Sequence, residues 1–281
     1  RAAVVGGGFI GLEMAENLRE AGLEVLLLEG ADQIFPPFDR EMAAILQTEL
    51  EGQGISVRLE SPILRVEPEG DAWAVVFGQE ERWPCDLVVM AIGVRPESRL
   101  AREAGLEVNS RGGIVVDENM RTSDPDIYAA GDAVEVFHWV SGQRTLLPLA
   151  GPANRQGRII AAQLAGLREE TFSGVVGSSV VKVFGLTAAC AGVNEKALKA
   201  AGVAYQKIYL SPQHHAGYYP GGEPLTMKLL FAPDGRILGI QCVGKEGVEK
   251  RVDVTAALLQ GGGMVSRLAK LELCYAPPYS S

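Results

Sequence analysis

The sequence predicts an α/β protein that ends in an α+β layer. Three observations carry that expectation. The first is a strand, turn, helix, strand pattern at the start. Residues 1–5 read as a strand, residues 6–11 are glycine-rich, residues 10–20 carry a helical apolar stripe and residues 24–29 are apolar again. The second is composition: 47% hydrophobic residues and 34 glycines in 281 positions suit a packed chain with many tight turns. The third is a pair of strand-like runs, 226–231 and 237–243, around Ala232-Pro233-Asp234-Gly235-Arg236, which has hairpin chemistry.

Bulk properties narrow the function classes. A chain of this length is expected to form two or three domains. No stretch is long and apolar enough to span a bilayer, and no charged-then-apolar leader precedes the first strand, so a cytoplasmic protein without a membrane partner is expected. The net charge of −9 weighs against a nucleic-acid partner but leaves room for a local basic pocket. Cys85, Cys190, Cys242 and Cys274 fit no zinc spacing, and the first three read as buried thiols. His138, His214 and His215 are too few and too badly spaced for a metal site.

The first unit has a chemical reason at each glycine. Gly6 permits the tight turn, Gly8 lets the backbone approach a pyrophosphate, and Gly11 allows the helix to pack closely on the sheet. The phosphate would rest on the helix N-terminus. Leu12, Ala15, Leu18 and Ala21 form the inward stripe, and Gly22 ends the helix. Glu29 closes the second strand, where a carboxylate accepts from a ribose 2′-OH and repels a 2′-phosphate. Gly30-Ala31-Asp32-Gln33 supplies no cation, so NADH is favoured over NADPH. This is a Rossmann-like dinucleotide-binding unit.

Residues 39–52 predict a helix capped by Asp39, with Met42, Ile45, Leu46 and Leu50 inward. Strands at 56–60, 63–67 and 72–77 read as a small antiparallel layer feeding a central buried strand at 86–91. Trp73, Phe77 and Trp83 read as packing. In the loop Ala91-Ile92-Gly93-Val94-Arg95-Pro96, Gly93 lets the chain pass close to a nicotinamide, and Arg95 serves either a phosphate or a surface ion pair.

A second motif follows. A short strand at 114–116 precedes a buried strand at 127–130, Gly131 turns the chain, and Asp132 stands where a carboxylate can bind sugar-like hydroxyls. A helix is expected over 152–164, with Pro152 in its first turn and Ile159, Ile160 and Leu164 inward.

Thr122-Ser123-Asp124-Pro125-Asp126-Ile127-Tyr128-Ala129-Ala130-Gly131-Asp132-Ala133 resembles the second flavin motif of the flavin-dependent pyridine nucleotide–disulfide oxidoreductases. Gly7-Gly8-Phe9-Ile10-Gly11-Leu12-Glu13 and Ala91-Ile92-Gly93 resemble that family's two NAD loops, and the branch most similar is that of the coenzyme A–disulfide reductases and NADH oxidases. The resemblance implies FAD and NAD as cofactors. It implies that Asp132 binds the ribityl chain, that Leu149 and Ala150 lie beside the isoalloxazine, that Phe9 and Ile10 belong to the NAD-binding loop, and that Glu13 lies near the nicotinamide. The implied organisation is an NAD(H)-binding domain at 1–119, the C-terminal segment of a split FAD-binding domain at 120–172, and an α+β dimerisation domain at 173–281.

In the last third, 180–184 begins a new pattern, a helix is expected over 194–201, 205–210 alternates like a half-exposed strand, and 248–259 is a final helix. Two segments put tyrosines on Pro/Gly loops, His214 to Gly222 and Leu273 to Ser281. They are similar to the segments that line the coenzyme A and disulfide site in coenzyme A–disulfide reductases. The resemblance implies proton delivery by Tyr219 and Tyr279, with Tyr218 and Tyr275 next in line; loop packing or dimer contacts are the plain alternative. Lys182, Lys196 and Lys245 are candidate contacts for coenzyme A phosphates.

The family's N-terminal flavin glycines and redox-active cysteine have no match here. The chain is therefore expected to be the latter part of an FAD-dependent NADH:disulfide oxidoreductase. The implied partners are a second copy of the chain in a homodimer and coenzyme A or another small thiol or disulfide. In the implied reaction, hydride passes from NADH to FAD, and the reduced flavin passes two electrons to the disulfide that joins a cysteine to coenzyme A; the S–S bond breaks and coenzyme A leaves as the thiol once protonated. The fragment alone is expected to bind NAD(H), to retain no stoichiometric FAD and to be catalytically incompetent. Three alternatives stay open: an NADH oxidase or peroxidase, a persulfide or polysulfide reductase with an appended rhodanese domain, and a stand-alone nucleotide-binding module.

Overall fold

The computed structural model describes residues 1–167 and 170–280; the end of the second tyrosine loop, Ser281, lies outside them. β1 (Ala2–Val5) leads through the glycine turn into α1 (Phe9–Glu20), β2 (Val25–Leu28), α2 (Arg40–Gly52) and β3 (Ser56–Arg58). Every residue of β1 and β2 is buried, as expected for apolar strands in a parallel sheet covered on both faces. β4 (Ile63–Glu69), β5 (Ala72–Phe77) and β6 (Glu81–Cys85) form an antiparallel layer, and β7 (Leu87–Met90) returns beside β1.

Three expectations are corrected here. The segment starting at Ser56 joins the parallel sheet, in the order β3-β2-β1-β7, and not the antiparallel layer. β7 is an edge strand of that sheet with Leu87 and Met90 exposed, because it pairs on one side only. β6 has no apolar alternation to announce it; it pairs with β5 through its backbone, and as the layer's edge strand it tolerates Pro84.

The chain from Val94 to Ser179 is a separate compact unit. It holds α3 (Arg99–Glu103), the hairpin of β8 (Val136–His138) and β9 (Gln143–Thr145), and α4 (Ala150–Leu164). Val116, Met120, Val134, Val136 and Ile159 make its core. The expected strands at 114–116 and 127–130 reduce to isolated bridges, Ile114 with Val108 and Val134, and Arg121 with Tyr128. Apolar runs need a neighbouring ladder to become strands, and among the described residues these two segments make only single bridges; Ile127 is exposed. Leu164 also faces outward, since the inward stripe of α4 runs through Gln156, Ile159 and Gln163.

The last part contains β10 (Ser179–Val183), β11 (Leu186–Gly192), α5 (Glu195–Ala200), β12 (Gln206–Leu210), β13 (Leu225–Phe231), β14 (Ile237–Gly244), α6 (Val248–Gln260) and α7 (Val265–Leu268). The sheet order is β10-β11-β14-β13-β12. Gly235, at φ +87°, turns β13 into β14. β12 is exposed along its whole length, not on one face alone, because it ends the sheet.

Residues 1–93 and the chain from Val180 onward form one compact unit. Val181, Val183, Ala188, Cys190 and Val243 share a continuous core with Val4, Leu12, Phe35 and Leu46. The parallel sheet region and the C-terminal sheet are thus packed as a single body. Among the described residues no helix is long and apolar enough to cross a membrane.

Candidate functional site

The glycine turn joins the carboxyl end of β1 to the N-terminus of α1. Gly6 takes φ +108°, and a Cβ there would lie 2.3 Å from the Ala91 carbonyl oxygen. A Cβ on Gly11 would lie 1.8 Å from the Gly6 carbonyl oxygen, so helix and turn meet without room for a side chain. Gly8 is different: nothing lies within 4 Å of its notional Cβ. Its place is open space, so the backbone there can be approached closely. The N-cap Gly8 offers no side chain, and the amides of Phe9, Ile10 and Gly11 have no partner among the described residues. These free donors and the helix dipole favour an anion.

Glu29 stands at the carboxyl end of β2. Its carboxylate accepts from Gly7 N at 2.7 Å and from Ala31 N at 2.8 Å. Each oxygen keeps a further lone pair for a ligand hydroxyl. Gly7 was not assigned a role by the sequence reading, yet its Cβ would press on Ile34 at 2.8 Å and Glu29 Oε2 at 3.2 Å. The middle glycine is what lets the acid reach the loop. Ile10 is exposed, Glu13 is exposed on the next turn of α1, and Gly93, at φ +102°, lies in the loop that follows β7. Phe9 packs edge-on against Phe35 at 4.8 Å, so its ring supports the turn from below.

In the second unit, Gly131 takes φ +90° and its amide donates to Gln156 Oε1 at 2.7 Å. Gln156 is fully buried on α4. It ties the turn carrying Asp132 to the helix that begins at Ala150. Asp132 is exposed and makes no hydrogen bond or ion pair among the described residues. Leu149 is the N-cap and supplies no side-chain acceptor, and the amides of Ala150 and Gly151 have no partner among the described residues. A free carboxylate and free helix amides within one unit match the donors and acceptors of a polyhydroxyl chain joined to a ring carbonyl. Arg95 is exposed without an ion pair among the described residues.

The two tyrosine loops meet. Tyr218 and Tyr275 share a hydroxyl–hydroxyl hydrogen bond at 3.0 Å, and Ala216 N donates to Pro277 O at 3.2 Å. That bond holds the Tyr218 phenol above its usual range. Tyr219 packs edge-on against His215 at 5.5 Å, while the Tyr279 carbonyl accepts from Lys250 at 3.3 Å. All four tyrosine side chains remain exposed. The structure therefore pairs Tyr218 with Tyr275 and leaves Tyr219 and Tyr279 apart from that bond. Lys245 is engaged by Glu223, whereas Lys182 and Lys196 are exposed.

Residues 1–157 match the model of the pyridine nucleotide-disulphide oxidoreductases, and residues 178–281 match the dimerisation domain of the same enzymes. The chain belongs to the pyridine nucleotide-disulphide oxidoreductase family. It is 38% identical over 281 residues to the NADH oxidase of Methanocaldococcus jannaschii, covering 100% of this chain and 62% of that protein. It is 34% identical to the coenzyme A disulfide reductase of Staphylococcus epidermidis, covering 100% of this chain and 63% of the relative. The reduced CoADR-RHD of Bacillus anthracis superposes with a TM-score of 0.96 at 45% identity, over 99% of this chain and 50% of that one. The chain thus spans less than two thirds of the length of these relatives.

In this pyridine nucleotide-disulphide oxidoreductase chain the cysteines behave as the sequence indicated. Cys85, Cys190 and Cys242 are buried and Cys274 is exposed. Burial pushes the Cys85 thiol up and the Cys242 thiol up to about 12, which disfavours the nucleophilic thiolate. What the sequence did not reveal is a buried charge cluster. Lys228, fully buried on β13, is bonded by Asp39, Glu41 and Glu195. Asp39 is the N-cap residue of α2, as expected, but its side chain makes no capping bond; it accepts from Glu195 N at 2.9 Å and Gln241 Nε2 at 2.6 Å. The three carboxylates converge as a metal site would, but a lysine ammonium occupies their centre. Burial opposes the charge on Lys228, and its hydrogen bonds to Asp39, Glu195 and Glu41 outweigh that and hold it protonated.

Proposed function

We propose that this chain is the pyridine-nucleotide and C-terminal part of an FAD-dependent NADH:disulfide oxidoreductase that reduces coenzyme A disulfide or a related persulfide. The observation that carries the reading is the glycine turn: an open Gly8, free amides at the start of α1, and Glu29 bonded to Gly7 N. Gly6, Gly8, Phe9, Ile10 and Gly11 hold the pyrophosphate, and Glu29 accepts the ribose hydroxyls and disfavours a 2′-phosphate. Ile10, Glu13 and Gly93 border the nicotinamide. Asp132 and Gly131 bind the ribityl chain, Leu149 lies beside the flavin, and Ala150 presents the first helix amide to the flavin's carbonyl edge. FAD supplies two-electron redox chemistry when bound.

The tyrosine loops support the thiol part of the reading. Tyr219 and Tyr279 are the proposed proton donors to a leaving thiolate; the bonded pair Tyr218 and Tyr275 is the alternative source. The similarity to a protein named coenzyme A disulfide reductase favours that substrate class. The similarity to a protein named NADH oxidase favours oxygen as the second candidate acceptor. The division into 1–119, 120–172 and 173–281, the homodimer and a cytoplasmic setting belong to the same proposal.

The test is stopped-flow reoxidation of the NADH-reduced, FAD-loaded full-length protein by coenzyme A disulfide, polysulfide and oxygen. Fast turnover with coenzyme A disulfide or polysulfide, lowered by Tyr219→Phe or Tyr279→Phe, supports the reading. Fast turnover with oxygen alone replaces it with the oxidase reading.

A further inference from the structure

The glycine turn rests on a segment that the C-terminal sheet holds in place. Between β2 and α2 the chain passes beneath the turn through Gln33, Ile34, Phe35 and Phe38, all buried. Phe35 adopts φ +50°, a conformation that a bulky residue rarely accepts. In that conformation its amide donates to Gly7 O at 2.7 Å. The Gly7 peptide is thus gripped twice, by Glu29 at its N–H and by Phe35 at its C=O. The Phe35 ring lies edge-on to both Phe9 and Phe38, at 4.8 and 4.9 Å.

The far end of this segment is fixed by residues from the last third of the chain. Asn194 Nδ2 donates to the carbonyls of Pro36 and Pro37 at 3.1 and 3.3 Å. Gln241 Oε1 accepts from Asp39 N at 2.8 Å, and Lys228 Nζ lies 2.7 Å from Asp39 Oδ2. Lys228, Gln241 and Asp39 are all at least nine-tenths buried. A strained Phe35 persists only if its surroundings over-determine it. Here the determinants lie on both sides: the aromatic packing beneath the turn and the anchored Pro36-Pro37-Phe38-Asp39 stretch.

We infer that Asp39 and Lys228 are positioning residues for the pyridine nucleotide. They act through Phe35 to set the Gly7 peptide and, with it, the anion-binding amides and Glu29. The inference rests on the reading of the glycine turn as the NADH seat. It assigns the C-terminal sheet a part in nucleotide affinity beyond any role in dimerisation.

The experiment compares this chain with Asp39→Asn/Lys228→Met and with Asn194→Ser, following NADH fluorescence, thermal midpoint and amide exchange. The double variant removes the Asp39–Lys228 pair as a unit, while Glu195 keeps Lys207 and Tyr205 as partners. Asn194 also caps α5, its Oδ1 accepting from Ala197 N at 2.9 Å, and Asn194→Ser keeps such a capping oxygen but loses the donor to Pro36 and Pro37. We expect NADH dissociation constants to rise about tenfold in the double variant and less in Asn194→Ser, with faster exchange at the Phe35 amide. A double variant that folds and binds NADH as the parent chain does overturns the inference. If the double variant fails to fold, Asn194→Ser decides by the same two readouts. If the unaltered chain binds no NADH, the nucleotide reading fails first and this inference falls with it.

Discussion

Lys228 Nζ lies 2.7 Å from Asp39 Oδ2, with no part of the lysine side chain exposed, and this pair joins β13 to the start of α2. Removing one partner of a buried pair leaves an uncompensated charge. Lys228→Met leaves Asp39 without its cation in the interior, while Glu195 keeps Lys207. We expect it to lower stability by about 3–5 kcal/mol, read as the shift of the urea midpoint. Asp39→Asn/Lys228→Met should recover part of that loss. A single variant as stable as the parent chain would show that the cluster contributes nothing.

Glu195 gives the same cluster an acid limb. Burial works against its ionised form, but hydrogen bonds from Lys207, Lys228 and Tyr205 outweigh burial and lower its pKa to about 2. The folded value lies below the ordinary 4.5, so the folded state binds fewer protons than the unfolded state in that interval. The contribution is complete above the ordinary value and is lost as pH falls towards the folded one. Urea midpoints measured from pH 6 downward should therefore drop between about 4.5 and 2, with a shallower drop in Glu195→Gln. Identical slopes in both proteins would place the acid sensitivity elsewhere.

Gly6 and Gly8 should respond differently to a methyl group. Gly6→Ala meets a positive φ and a carbonyl oxygen at 2.3 Å, so we expect a loss of at least ~2 kcal/mol or failure to fold. Gly8→Ala meets nothing, and its φ of −80° suits any residue. It should melt within a few degrees of the parent chain and bind NADH at least tenfold more weakly, because the methyl group enters the pyrophosphate's space. Calorimetry and NADH titration on the same samples read both effects. Equal NADH affinity in Gly8→Ala would remove the pyrophosphate from that position.

The contrast between these residues explains how far the sequence could be read. The glycine turn, α1, β1 and β2 are legible because their constraints act between near neighbours: apolar runs, a helical stripe and glycines at fixed offsets. The hairpin at Gly235 is legible for the same reason. The Asp39 cluster is not, because a capping residue and a cluster ligand look identical until Lys228 and Gln241 arrive from distant strands. The runs at 114–116 and 127–130 carried strand composition without a ladder to join, and β6 had a ladder without strand composition. Gln156, which links Gly131 to α4, left only the faint sign of a polar side chain on an inward stripe.

Thiol chemistry offers a simple check on burial. Cys85, Cys190 and Cys242 are shielded and Cys274 is exposed. A thiol reagent added to the native chain should modify Cys274 quickly and the others only after unfolding, when mass spectrometry counts all four. Rapid labelling of Cys242 would mean that the C-terminal sheet opens readily.

Gly7 N fixes the Glu29 carboxylate at the end of β2, and in the proposed function this carboxylate meets the ribose hydroxyl or its phosphate. The most direct measurement is parallel titration of this chain with NADH and NADPH, repeated with Glu29→Gln. We expect the parent chain to prefer NADH by tenfold or more, about 1.4 kcal/mol, and Glu29→Gln to lose most of that preference by gaining affinity for NADPH. Equal binding of the two nucleotides by the parent chain, or binding of neither, would contradict the assignment of this turn as an NADH seat.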